Sequence, residues 1–218
     1  MTAPPKYPRV PHLSRDSGAT ADDLVLSGIQ REQLLARPVV VEEKLDGANV
    51  VLWMEDGAPR VATRGGPDAM DRGGLRGRFR GWAAEHADAL RAALGNGFAL
   101  YGEWLLVPHS VAYAHLPGPL VVLDVLDRMS GEWLSVADRD AVAATAGLPV
   151  PPRLFTGHLS CVDHAQGLIG ASAFGGEPAE GVVIRAVRDG DGPRLAKLVR
   201  PGWRQVIDAE WVPATGRA

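Results

Sequence analysis

The chain has 218 residues, 46% of them hydrophobic, which is enough to bury a substantial core within the size range of one large domain. Its formal net charge of −3 excludes a uniformly basic nucleic-acid coat, so any polyanion must be met by a local patch. A single cysteine, Cys161, excludes an internal disulfide framework and a multi-cysteine zinc site, and no stretch has the apolar length of a signal peptide or membrane span, so a soluble, cytoplasmic protein is expected.

Residues 1–20 are rich in Pro and polar residues and are expected to run as an extended arm over the surface rather than in a sheet. Asp22 to Leu26 leads into a helix-compatible stretch, Gly28 to Ala36, ahead of Pro38. The segment Val39–Trp53, VVVEEKLDGANVVLW, places two β-branched, apolar runs on either side of Asp46-Gly47, a pair that supports a tight turn, so a hairpin is expected. Alternation along its first strand puts Glu42, Lys44 and Asp46 on one face and Glu43 and Leu45 on the other.

Glu55 to Pro59 reads as a turn and Arg60 to Thr63 as a returning strand. Arg64 to Gly81 is glycine-rich without apolar periodicity, which predicts a long loop or lid; its Arg72, Arg76, Arg78 and Arg80 suit either a solvated loop or one that contacts phosphates. Trp82 to Leu94 fits an amphipathic helix ended by Gly95-Asn96-Gly97. Strands follow at Phe98–Leu106 and Leu120–Leu126. Ser135 with Asp138 opens a helix to Thr145, and Ser160 with Asp163 repeats the device for a helix through Leu168. Cys161 is expected as a small buried side chain. Gly181–Val187 and Leu195–Val199 form a hairpin around a glycine-rich connection. The sum is an α+β domain of antiparallel strands with peripheral helices.

The polar residues of interest sit on or at the ends of these strands. Lys44 is either a strand lysine paired with Glu42 or, if desolvated or set beside another cation, a nucleophile. Glu103 follows Gly102, which allows a ligand to approach closely. Glu180 precedes the apolar run 181–184, and Lys197 lies inside Leu195-Ala196-Lys197-Leu198-Val199, where a charge is out of place. For each residue alone a structural salt bridge is the ordinary outcome.

Five segments in order carry more weight. Lys44-Leu45-Asp46-Gly47 matches a Lys-x-Asp-Gly motif, Thr63-Arg64-Gly65-Gly66 is similar to the motif that follows it, and Tyr101-Gly102-Glu103 matches an aromatic-Gly-Glu motif. Leu123-Asp124-Val125-Leu126-Asp127 and Glu180-Gly181-Val182-Val183-Ile184 match the next two, and Lys197 falls at the last. In this order the segments resemble the covalent nucleotidyltransferases, the family of ATP-dependent RNA ligases, DNA ligases and mRNA capping enzymes. The phrases Gly102-Glu103-Trp104-Leu105, His109 to Tyr113, Leu116-Pro117 and Lys197-Leu198-Val199-Arg200-Pro201 look most like bacterial and phage RNA ligases.

The resemblance implies a nucleotide-binding cleft between antiparallel sheets, as in an ATP-grasp-like ligase adenylation domain. Residues 1–218 are expected to form one such domain, and the separate C-terminal closing domain that most ligases of the family add is not expected, because little sequence follows the last motif. It implies that Lys44 attacks the α-phosphorus of ATP to form lysyl-AMP, with Asp46 and Lys197 assisting. Glu43, Asn49, Arg64, Glu103, Glu180 and Lys197 would bind the nucleotide, and Glu180 and Asp46 would hold Mg2+ or Mn2+. AMP would pass to an RNA 5′-phosphate and be displaced by a 3′-hydroxyl, with Arg76, Arg78 and Arg80 on the RNA backbone. A partner that closes over the RNA or processes its ends would complete such a minimal chain. The alternatives are a GTP-dependent capping-type guanylyltransferase and a nucleotide- or RNA-binding module that has lost catalysis. Two departures stand out. Leucine occupies the place of an aromatic ring against adenine, and Leu195 and Val199 flank Lys197 where the last motif has a second basic residue, for which Arg194 or Arg200 could substitute.

Overall fold

Val39, Val40 and Val41 offer apolar side chains to both faces of a strand, and the strand they begin lies inside a sheet rather than at its edge. The structure, a computed structural model, describes residues 2–16, 18–63, 74–106, 110–187 and 192–203. In chain order the elements are α1 (Gly28–Leu35), β1 (Val39–Lys44), β2 (Ala48–Glu55), β3 (Ala58–Thr63), α2 (Leu75–Glu85), α3 (Ala87–Leu94), β4 (Phe98–Trp104) and β5 (Leu120–Asp127). They continue with α4 (Val136–Thr145), β6 (Arg153–Gly157), α5 (Val162–Gln166), β7 (Gly181–Ala186) and β8 (Leu195–Val199). Two four-stranded antiparallel sheets result, ordered β6-β1-β7-β8 and β3-β2-β4-β5, as the α+β reading requires.

Side-chain alternation sorts the second sheet into two apolar faces. Val50, Leu52, Met54, Leu100 and Trp104 pack with Phe79 and Ala83 of α2, Leu90 and Leu94 of α3 and Ala143 of α4. Val51, Trp53 and Tyr101 face the other way, onto Tyr7 and Trp133. In the first sheet Val39, Val41, Val182, Ile184 and Leu198 pack with Leu13, with Leu34 of α1 and with Ala165 of α5. Ser27 and Gln30 close a reciprocal capping box at α1, and Ser135 caps α4 through Asp138. Among the described residues no helix is long and apolar enough to cross a membrane.

The hairpin expected over Val39–Trp53 does not form. β1 and β2 belong to different sheets, and Asp46-Gly47 is the crossover between them. Gly47 is needed there for close approach, because a Cβ would lie 2.6 Å from the Trp104 carbonyl oxygen and 2.8 Å from the Leu105 side chain. The Asp-Gly pair that does turn a hairpin is Asp56-Gly57, with φ of 52° and 74°, between β2 and β3.

Other expectations also change. The long loop expected over residues 64–81 ends in helix α2, whose buried residues Phe79 and Ala83 are four apart, a short apolar stripe hidden among glycines and arginines. Residues 64–73 lie outside the described residues. The helix expected over 82–94 is interrupted at His86, which ends α2 and begins α3. Cys161 is exposed rather than buried, at the N-cap of α5. Strand β6 pairs along β1, an additional strand that the sequence does not mark, since five residues behind a proline cluster carry little periodicity. The N-terminal arm does more than cross the surface. Leu13 is fully buried, and His12 bridges in parallel to Lys197, with Lys197 N donating to the Pro11 carbonyl at 2.8 Å and Leu13 N to the Lys197 carbonyl at 2.8 Å.

Candidate functional site

Lys44 ends β1, and in the antiparallel register its partner on β7 is Gly181, so the residue before that strand, Glu180, is delivered to the lysine. Lys44 Nζ donates to Glu180 Oε2 at 2.6 Å. The pair lies in a cleft of about 680 Å³ lined by strand ends from both sheets and, on one side, by residues 7–10 of the arm. Glu43, Asp46, Asn49, Glu103 and Lys197 line the same cleft, so it gathers every nucleotide-site residue singled out in the sequence except Arg64, which lies outside the described residues.

Each carboxylate is held by a different part of the chain. Glu103 Oε1 accepts from Gly47 N at 3.1 Å, and Asn49, its register partner on β2, also bonds it. Asp46 Oδ2 accepts from Ser110 N at 2.5 Å and Val111 N at 3.1 Å, which ties the loop after β4 to the crossover. Glu43 accepts from Ser172 Oγ at 2.5 Å and from Ala173 N at 2.8 Å, anchoring the segment ahead of β7. Glu42 does not pair with Lys44. It is buried and bound by Arg139 and Arg185.

The electrostatics follow from burial. Burial alone would lower the Lys44 amine, but Glu180 above all, with Glu103 and Asp46, outweighs it and raises the group, so the lysine stands as an ammonium. Burial pushes Glu180 up, with Asp46 acting in the same sense, against the pull of Lys44 and Lys197. Burial raises Glu103 to about 7, supported by Glu180 and Asp46 and opposed by Lys44 and the Asn49 bond. Lys197 is lowered by burial and by Lys44, although Asp23 pulls it back from 3.4 Å.

Other sequence candidates lie elsewhere. Arg78 and Arg80 are exposed on α2, outside the cleft; the Arg76 side chain is outside the described residues. Arg80 instead lines a neighbouring cavity of about 620 Å³ between the arm and the second sheet, which meets the cleft at Tyr7, Asn49 and Thr63. Leu195 and Val199 are buried. Arg194 binds Asp124 and stacks on Trp133, and Arg200 stacks on Trp203, so neither lines the cleft as a substitute. Leu123 does line it, with Val183 and Val10 as further aliphatic surface.

Sequence reasoning missed the polar network behind the cleft. Asp124 accepts two bonds of 2.8 Å from Arg185, bonds of 3.0 and 2.9 Å from Arg194 and one of 2.6 Å from the Tyr7 hydroxyl. Burial opposes its charge, but the two guanidiniums keep it well below the ordinary carboxylate range. Arg185 in the middle of an apolar strand was the available signal. Nothing local marked Arg9 or Asp23 as cleft residues.

A family model described as RNA ligase matches residues 37–199. Among solved structures the chain is similar to Naegleria gruberi RNA ligase with PPi, at a TM-score of 0.57 and 16% identity over 91% of this chain and 61% of that one. A mutant of that ligase with ATP and Mn gives 0.55 and 17%, over 91% and 61% of the two chains. Another with AMP and Mn gives 0.54 and 18%, over 78% and 51%. At these identities the likeness concerns the fold, and the chain spans about half to three-fifths of the length of that ligase. A search among curated proteins found no match.

Proposed function

Because the chain belongs to the RNA ligase family, we propose that it forms a lysyl-AMP intermediate on Lys44 from ATP, passes AMP to an RNA 5′-phosphate and seals that end to a 3′-hydroxyl. The observation that carries this reading is the convergence on Lys44 Nζ: Glu180 at 2.6 Å, with Glu103, Asp46, Asn49 and Lys197 around the same cleft.

In the first step the Nζ–P bond forms as the bond from the α-phosphorus to pyrophosphate breaks. The amine must first lose a proton, and Glu180, raised by burial, is in position to take it. Lys197, largely buried in the same cleft, supplies positive charge for the α-phosphate, and Glu103 accepts from the ribose hydroxyls. A 5′-phosphate oxygen then attacks the AMP phosphorus and breaks the N–P bond, and a 3′-hydroxyl oxygen finally displaces AMP.

Among the described residues no group of three or more His, Cys, Asp or Glu could hold a metal by itself. A divalent cation that keeps its waters and binds substrate phosphates needs only one or two carboxylates. More carboxylates than cations line this cleft, and burial with anionic neighbours lifts Glu103 to about 7, so hard oxygen donors short of positive charge fit Mg2+ or Mn2+. Glu180 and Asp46 are the residues to hold it, and when bound it would neutralise phosphate charge and orient the pyrophosphate.

The test is mass spectrometry of the intact protein and of its peptides before and after ATP and magnesium. One AMP is added to the wild type at the peptide containing Lys44 and none to Lys44→Ala; a label on another residue overturns the assignment. Addition from GTP but not ATP would point to a guanylyltransferase, and none from either to a binding module.

A further inference from the structure

Four cations of the described residues line the cleft: Arg9, Lys44, Arg185 and Lys197. Three face carboxylates. Lys44 is on Glu180 at 2.6 Å, Lys197 on Asp23 at 3.4 Å, and Arg185 is buried on Asp124 at 2.8 Å. Arg9 is different. Its Nη2 donates to the Asp22 carbonyl at 2.6 Å, it is exposed, and among the described residues it makes no ion pair. A guanidinium carries five N–H donors in a planar fork suited to phosphate oxygens, and among the described residues only one is engaged.

The arm holds Arg9 in place. The Tyr7 hydroxyl donates to Asp124 at 2.6 Å on one side, and the Pro11 carbonyl accepts from Lys197 N at 2.8 Å on the other, so the chain is pinned to β5 and to β8 within two residues of Arg9 in each direction. Pro8 further restricts the backbone between the anchors. The backbone that carries the cation therefore has little freedom to lose on binding. The cleft also needs it, since its carboxylates outnumber its cations and positions 195 and 199 beside Lys197 hold buried Leu and Val.

We propose that Arg9, carried over the cleft by the N-terminal arm, binds the pyrophosphate end of the nucleotide and supplies the second phosphate-binding cation that β8 does not. This rests on reading the cleft as the site of a nucleoside triphosphate. A contact to the pyrophosphate alone would make Arg9 discriminate nucleotides by phosphate number.

The experiment compares wild type, Arg9→Ala and Arg9→Lys by calorimetric titration of inorganic pyrophosphate and, separately, of AMP, both with magnesium, and by the ATP dependence of protein adenylylation. Loss of one charge-assisted contact is expected to weaken pyrophosphate binding and raise the KM for ATP about tenfold in Arg9→Ala, with kcat and AMP affinity changing by less than about twofold. Arg9→Lys should recover part of the loss, because it keeps the charge without the fork. Unchanged pyrophosphate affinity and KM in Arg9→Ala overturn the proposal, as does a parallel loss of AMP affinity, which would mark a merely structural arm. A wild type that binds no pyrophosphate overturns it too. Arg9-dependent pyrophosphate binding without any protein adduct would leave the proposal standing and remove the lysyl-AMP reading instead.

Discussion

Lys44 Nζ and Glu180 Oε2 lie 2.6 Å apart, an ion pair made by the register of β1 on β7 rather than by proximity in the chain. The carboxylate raises the amine, and the amine must become neutral before it can attack, so the pair sets the pH at which the nucleophile is available. Removing Glu180 removes the largest charge that favours the ammonium. Glu180→Gln should therefore move the rising limb of the adenylylation rate to lower pH, while the plateau falls about 100-fold because the proton acceptor is gone. Rates of ATP-dependent mass gain measured across pH will show both; a limb that stays in place would mean that the other carboxylates around Lys44 suffice to keep the amine charged.

Glu103 makes a prediction about stability. Its carboxyl is raised by burial to about 7, against about 4.3 in an unfolded chain, so its contribution is fully present below the unfolded value and is lost as pH rises through 7. Glu103→Gln cannot ionise but still offers an oxygen to Gly47 N. Its melting temperature relative to wild type should rise between pH 5 and pH 8 in the absence of nucleotide. A difference independent of pH would contradict the shift.

Glu42 is 2% exposed and held by Arg139 at 2.5 Å and Arg185 at 3.3 Å. Glu42→Gln leaves two buried guanidiniums short of an anion and should cost about 3–5 kcal/mol in chemical denaturation. A loss under about 1 kcal/mol, the value for exposed pairs, would show that water reaches the network.

Two glycines test the crossover. Gly47→Ala must displace Trp104 or Leu105, so a loss of about 1–3 kcal/mol is expected together with slower adenylylation, since Gly47 N orients Glu103. Gly57→Ala meets open space and pays only for its φ of 74°, about 1 kcal/mol, with adenylylation retained.

Arg78 and Arg80 stand on α2, away from Lys44. If they contact an RNA backbone, Arg78→Ala with Arg80→Ala should weaken RNA binding for all sequences alike and reduce the salt slope of log K by about one for each lost contact. Fluorescence anisotropy of a labelled RNA at several salt concentrations measures it, and an unchanged slope would remove α2 from the interface.

Much of the cleft was legible in the chain. Lys44, Glu103, Glu180 and Lys197 stood out because each puts charge on or at the end of an apolar strand, and strand ends are where backbone and side chains open toward a ligand. The antiparallel strands, the α4 cap and the β7–β8 hairpin were likewise written in local pattern. What local pattern determined wrongly is instructive. Asp46-Gly47 and Asp56-Gly57 are the same dipeptide between strand-forming runs, yet only the second turns a hairpin.

Which sheet a strand joins is decided by its partners. β1 pairs along both edges, with β6 and β7, partners that arrive more than a hundred residues later in the chain. The same long-range pairing brings Pro11 and Leu13 to the edge of β8, sets Asp23 on Lys197 and holds Arg9 above the cleft. The sequence by itself marked Lys44, Glu103, Glu180 and Lys197, because charge on or beside an apolar strand is a local anomaly. The tertiary structure alone decided the walls of the site, its ion pairs and the placing of Arg9, because these depend on register and crossover between segments whose local preferences are silent about each other.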